Sequence, residues 1–239
     1  MYKYDIHVHT METSLCGHMY AADIVDYYHR EGYQGIVITD HFNETTFESF
    51  PEYKKDWIAC VDRYLLGYRV ASLRASELGL DVILGIEFRS TDSIRDTLVY
   101  GLDEEFLYRH EYSYELGLER FFGLFGERMT LIAAHPFRTD RGTGRQCSVL
   151  PMYLHGAEVI NGNPRHENNN HQALELCRAN PDFIRVFGSD VHRPVDLCSV
   201  YMGFDKRIKD SAALGEALKR REYTLGYPAD RDIEKNFAE

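Results

Sequence analysis

Long apolar runs are missing from this chain: nothing in its 239 residues approaches the ~20 apolar residues of a membrane-spanning helix. No basic-then-apolar leader precedes Met1-Tyr2-Lys3-Tyr4-Asp5, which runs directly into an expected strand, so the reading is a cytoplasmic protein without membrane contact. Linkers rich in Pro, Gly and Ser, internal repeats and low-complexity tracts are also missing, and residues 1–239 read as a single domain. Paired cysteines are lacking. Cys16, Cys60, Cys147, Cys177 and Cys198 are odd in number and contain no C-x-x-C, which excludes a disulfide framework and a zinc knuckle and predicts reduced thiols. Basic charge is short as well: 27 Lys and Arg against 38 Asp and Glu leave −11, a field that repels duplex nucleic acid. The same acidity suits a holder of divalent cations, although solvated surface acids are its commoner cause.

What is present is an alternation. Hydrophobic residues make up 44% of the chain, enough for one sizeable core, and they fall in short β-branched runs separated by stretches of helical period. Strands are expected at 4–8, 35–39, 82–86, 98–100, 130–134, 157–160 and 184–187. Helices are expected at 21–32, 51–79, 104–125, 166–180 and 211–221. This order predicts a parallel βα architecture in which the C-terminal strand ends share one mouth.

Chemistry-bearing side chains collect at those ends. His7 and His9 are two apart, hence on one face of the first strand, and imidazole is a common ligand for zinc, iron or manganese. Alone such a pair is equally a hydrogen-bonded one. Asp40 and His41 end the second strand, Glu87 the third, His135 the fifth, and Asp190 and His192 the seventh. A carboxylate or imidazole among apolar neighbours is costly unless a cation compensates it, with a buried salt bridge as the rival for Glu87 and a satisfied core histidine for His135. At least five histidines and two carboxylates exceed the four or so ligands that one zinc needs, so two or three ions are expected.

The series H-x-H, T-D-H, G-x-E, A-H-P and G-S-D-x-H, in that order, resembles the PHP (polymerase and histidinol phosphatase) superfamily over residues 1–204. The resemblance implies a distorted seven-stranded (β/α)7 barrel with a centre of two or three zinc, manganese or iron ions. It also implies hydrolysis of a small phosphomonoester or phosphodiester by a metal-bridging hydroxide. Glu87 would bridge two ions, His7, His9 and Asp190 would serve one, and His41, His135 and His192 would complete the others. A further ligand follows H-x-H in such proteins, and here His18 is the candidate, against Cys16 or a merely exposed loop. Where relatives place a histidine before the fourth strand this chain has Asp96, either a substitute oxygen ligand or a sign that the third ion is weakly held; His110 is a more distant replacement.

For the substrate, expected to be a small phosphorylated metabolite or nucleotide, Arg138 and Arg193 adjoin ligand motifs and offer guanidinium forks for phosphate oxygens. With Asp190 and His192 they form the candidate catalytic set. Arg141 and Arg145 make the following loop basic, with pairing to acids such as Asp140 as the bland alternative. Glu158 and Asn161 end the sixth strand and are placed to line the mouth, Asn161 as a group orienting a ligand. Asn169 and Asn170 read as a helix cap in a solvated loop. The aromatic loop 42–57 reads equally as a lid or as surface packing. Alternatives to the general activity are histidinol-phosphate phosphatase, a non-catalytic metal-binding module, and a C–N hydrolase. The last wants a strand-end lysine, and Lys3, Lys54, Lys55, Lys206, Lys209, Lys219 and Lys235 are all poorly placed.

Overall fold

The computed structural model describes residues 1–91, 93–139, 144 and 149–228. Asp140, Arg141, Arg145, Cys147 and Lys235 lie outside the described residues. The β-branched run ending in His7-Val8 forms β1 (Tyr2–Val8), followed by α1 (Ala21–Arg30) and β2 (Gly35–Ile38). Then come β3 (His41–Phe42), α2 (Glu44–Glu48), α3 (Trp57–Tyr64), α4 (Leu66–Leu78), β4 (Asp81–Leu84), β5 (Ile86–Phe88) and β6 (Thr97–Tyr100). The remainder is α5 (Glu104–Arg109), α6 (Leu118–Phe125), β7 (Thr130–Ala133), β8 (Gly156–Asn161), α7 (Asn170–Ala179), β9 (Ile184–Gly188), β10 (Tyr201–Phe204), α8 (Ser211–Arg220) and β11 (Thr224–Gly226).

These strands form two mixed sheets, ordered β11-β10-β1-β2-β4 and β3-β5-β6-β7-β8-β9. An all-parallel set was expected. Instead β10 runs antiparallel to β1, and β6 runs antiparallel to both β5 and β7. The reversal of β6 matters for the site, because it brings the start of that strand, beside Asp96, to the rim where the parallel neighbours end. The sheets are stitched together at both flanks. Between β2/β4 and β3/β5 the pairing continues through Gly85 N–H to Ile38 O at 2.9 Å and Glu87 N–H to Asp40 O at 3.1 Å. On the other flank Val8 bridges Val191, with His9 N–H donating to Val191 O at 3.0 Å.

Two expected helical tracts are divided, each by local chemistry. The span 51–79 begins as turns after Pro51, restarts where the Asp56 side chain caps α3, breaks at Leu65, and ends at Gly79, whose φ of +71° suits glycine. The span 104–125 opens on an Asp103 cap and is cut by Tyr112 at φ +50°. The 42–57 segment is anchored in the core by its aromatic residues, while Thr45, Glu48, Ser49, Pro51, Lys54, Lys55 and Asp56 stay exposed. Phe42, Phe47 and Trp57 are buried, and Phe47 stacks on Trp57, Tyr64 and Tyr114 at ring separations of 5.0, 5.4 and 5.1 Å. This aromatic wall backs β3 and so fixes His41. Among the described residues no helix is long and apolar enough to cross a membrane.

Candidate metal centre

Strand alternation puts Asp5, His7 and His9 on one face of β1, and all three are fully buried. Asp5 Oδ1 accepts from the N–H groups of His7 and Ser189, both at 3.2 Å, tying β1 to the turn that carries Asp190. The imidazoles converge, with His7 Nε2 3.1 Å from His9 Nε2. Glu87 stands across from them on β5. Its Oε1 lies 3.4 Å from His7 Nε2 and 2.9 Å from His135 Nε2; its Oε2 lies 3.3 Å from His9 Nε2 and 2.7 Å from His41 Nδ1. Asp190 Oδ1 is 3.5, 3.4 and 3.3 Å from His7, His9 and His192 nitrogens. Among the described residues four triads have ligand atoms within 4.8 Å of one another: His9/His41/His192, His7/His135/Asp190, His7/His9/Glu87 and His41/Glu87/Asp96.

Whether these residues fit divalent ions is decided by what their lone pairs lack. Glu87 Oε2, Asp190 Oδ1 and His41 Nδ1 are buried and have no hydrogen-bond partner, although nitrogens or oxygens of the neighbours are close by. Atoms at 2.7 Å that do not share a hydrogen bond point at common space rather than at each other. Leaving them so is expensive, and cations satisfy all of them at once, so the donor set fits the group. Two of the residues are also held in the left-handed region, Asp190 at φ +54° and His135 at φ +27°, a strain of roughly 1–3 kcal/mol each that the surrounding structure must impose.

Electrostatics agree with ligand duty. Burial would push both carboxylates up, but His41 and His7 hold Glu87 well below its ordinary value, and Arg138, His7 and His192 do the same for Asp190. Burial, with His192 and His41 nearby, holds His9 well below, leaving its ring neutral. His7 goes the other way, burial being outweighed by Glu158, Asp190 and Glu87.

Glu158 explains why His7 presents Nε2 to the cluster. Its Oε1 sits 2.9 Å from His7 Nδ1, and its Oε2 accepts from His135 N–H at 2.8 Å and from Asn161 Nδ2 at 2.9 Å. This contact needs the glycine at 188, where an added Cβ would lie 2.3 Å from Glu158 Oε1 and 2.6 Å from His7 Cβ. Glu158 and Asn161, expected to line the mouth, are instead buried braces. In the Asn-rich run Asn169 stands at the N-cap of α7 as expected, though without a side-chain cap hydrogen bond, and the segment before it is partly packed. Asn163 and Asn168 are buried, and Asn170 hydrogen-bonds the backbone of Asn161 through both side-chain ends.

Other expected site residues lie elsewhere or act otherwise. Asp40 is outside the cluster: its oxygens accept from Thr10 N–H at 2.7 Å, Thr10 Oγ1 at 2.7 Å and Ser14 Oγ at 2.6 Å, bracing the H-x-H-T turn, while burial pushes its carboxyl up to about 6. His18 points to the surface, 3.3 Å from Arg193 Nη2, and belongs to none of the four triads. The loop instead turns the thiol of the exposed residue Cys16 inward against His192 and His41, which outweigh burial and bring it down to about 6. His110 is remote, packed on Phe106 and Phe125 at 4.5 and 4.9 Å. Arg138 is not free for a phosphate. It pairs with Asp190 Oδ2 and donates to Asn161 at 3.0 Å and Asn168 at 2.8 Å. Arg193 is exposed, its N–H held by Asp196, which Arg165 grips from the other side. Sequence reasoning missed Arg89, whose Nε is 3.1 Å from Asp96 Oδ1; its position two residues past Glu87 was the available signal.

Buried imidazoles around shared carboxylates, set on strand ends of an α/β fold, define a class of proteins with side chains that could hold metal. The PHP domain model matches residues 5–217, and the chain belongs to that family. Three solved structures share the fold at low identity. One is a two-domain protein from Bacteroides vulgatus containing a PHP-like metal-dependent phosphoesterase assigned by prediction: 17% identity, TM-score 0.65, 95% of this chain and 64% of that one covered. This chain thus spans under two thirds of that protein. A second, assigned as a metal-dependent phosphoesterase from Bifidobacterium adolescentis, gives 18% identity and TM-score 0.54 over 91% and 96% of the two chains. A third, an amidohydrolase from Chromobacterium violaceum with bound sulfate and no metal, gives 13% and 0.52 over 95% and 98%. Among curated proteins none matches significantly.

Proposed function

We propose that this chain is a metal-dependent phosphoesterase acting on a small phosphorylated metabolite or nucleotide, with two or more zinc, manganese or iron ions at the rim. The observation that carries the reading is Glu87. One carboxylate has Oε1 beside His7 and His135 and Oε2 beside His9 and His41, the geometry of a bridge between two ions. His7, His9 and Asp190 would hold one ion, and His41, His135 and His192 the rest; mixed imidazole and carboxylate donors suit these metals. Ions held there would supply water activation and positive charge for a phosphoryl group.

The protein's own part is positioning. Glu158 keeps the His7 proton on Nδ1, and Arg138 holds Asp190 against the cluster. His192 Nδ1, 3.0 Å from the Asp190 carbonyl, leaves Nε2 for the mouth. Arg193, exposed beside His192, is placed for phosphate oxygens. We also read the two sheets as a distorted seven-strand barrel, counting β2 with β3 and β4 with β5 and joining β9 to β1 through Val191 and Val8; the stitching hydrogen bonds support this. Thiols outside any disulfide at Cys16, Cys60 and Cys177 support a reducing, cytoplasmic setting, and the net charge of −11 supports a small substrate over duplex nucleic acid. Lys3 and Lys54 lie over the rings of Tyr201 and Tyr53, and Lys55 and Lys219 donate to the carbonyls of Pro51 and Glu127, placements that weigh against the C–N hydrolase alternative.

The test is turnover of a panel of phosphomonoesters, histidinol phosphate among them, and phosphodiesters by protein reconstituted with manganese or zinc. Hydrolysis lost in His9→Ala is the expected result; an inert parent, or a His9→Ala variant as fast as the parent, contradicts the reading.

A further inference from the structure

Arg89 follows β5, its N–H donating to Phe42 O at 3.2 Å, so the strand line continues through it and alternation turns its side chain to the same mouth as Glu87. Its Nε lies 3.1 Å from Asp96 Oδ1, and the other Asp96 oxygen lies 4.0 Å from His135 Nε2. Asp96 is also a member of the His41/Glu87/Asp96 triad, its side chain 11% exposed. A guanidinium therefore already stands at a triad with two half-buried members, His41 and Asp96, and a divalent ion there would face it at close range, like charge against like.

The contact has a second feature. Asp96 Oδ1 is buried yet has no hydrogen-bond partner, so Arg89 neutralises this carboxylate without committing an N–H to that oxygen. Its side chain is 35% exposed, whereas that of Arg138, locked to Asp190, is 16% exposed. A planar fork at the mouth whose side-chain N–H groups make no hydrogen bond to another described residue suits a tetrahedral oxyanion.

We propose that Arg89 is a substrate-binding residue whose guanidinium takes the charge role of an ion at the His41/Glu87/Asp96 position, so that the centre holds two ions and Arg89 contacts the phosphoryl oxygens. The identity of the anion rests on the phosphoesterase reading; the ion count does not. The test loads the full chain with manganese, removes excess, counts ions by elemental analysis, and titrates inorganic phosphate calorimetrically. The parent is expected to hold two ions per chain. Arg89→Met is expected to weaken phosphate about tenfold or more, and Arg89→Lys, which keeps charge but loses the fork, by a smaller factor. Three ions in the parent, or parental phosphate affinity in both variants, overturns the proposal. Two ions and Arg89-dependent phosphate binding without turnover of any phosphoester would sink the activity and leave the Arg89 assignment standing.

Discussion

The inner and outer halves of the rim are built differently. On the inner side His7, His9, Glu87 and Asp190 are at most 1% exposed, and two of them are gripped from behind, His7 by Glu158 and Asp190 by Arg138. On the outer side the side chains of His41, Asp96 and His192 are 17, 11 and 10% exposed, and their neighbours are Cys16, Arg89 and the surface pair His18 and Arg193. The inner half is preorganised and dry, as a site that sets ion affinity must be; the outer half is reachable, as a site that meets substrate must be.

The comparison can be broken at its centre first. Glu87→Ala removes the carboxylate shared by both halves and should lower kcat/KM by roughly 10³-fold or more, with loss of bound metal by elemental analysis. A variant that keeps its metal and its rate would deny Glu87 the bridging role. Next in size, Glu158→Gln should cost about 10- to 100-fold in metal affinity, read by competition with a chromophoric chelator. Gly188→Ala should do likewise with Glu158 intact, because its methyl strikes Glu158 and His7. Unchanged affinity in both would show that the inner half is not tuned from behind.

Proton linkage sharpens the same contrast. The raised His7 value stabilises the ion-free fold below the ordinary 6.5, and this is lost as pH rises through the folded value. The depressed Glu87 value stabilises it above the ordinary 4.5, and this is lost as pH falls through the folded value. The ion-free protein should therefore melt highest between those limits. Ion loading near neutral pH should release protons, since His7 must give one up, and calorimetry in buffers of different ionisation enthalpy reads it. The smallest effect is expected on the surface, where His18→Ala should leave metal content unchanged. A lost ion there would place His18 among the ligands after all.

Legibility in the sequence followed range of interaction. His7 and His9, Asp190 and His192 were readable because spacing of two fixes a shared face. The strands were readable because β-branched runs are local. The reversal of β6 was not, since strand direction is set by what flanks it in space, and neither were the short β10 and β11. Glu158 was seen at the strand end but not as the partner of His7, 151 positions away. The loop after H-x-H was ambiguous for a related reason: choosing between Cys16 and His18 requires knowing how Gly17 folds back on Thr10, a contact so tight that a Cβ would lie 2.5 Å from its carbonyl oxygen.

The central claim, a metal cluster bridged by Glu87, is tested most directly by anomalous diffraction from crystals of the zinc- or manganese-loaded protein. The account predicts at least two peaks with a Glu87 oxygen on each of two ions. A single ion, or ions that Glu87 does not touch, would contradict it.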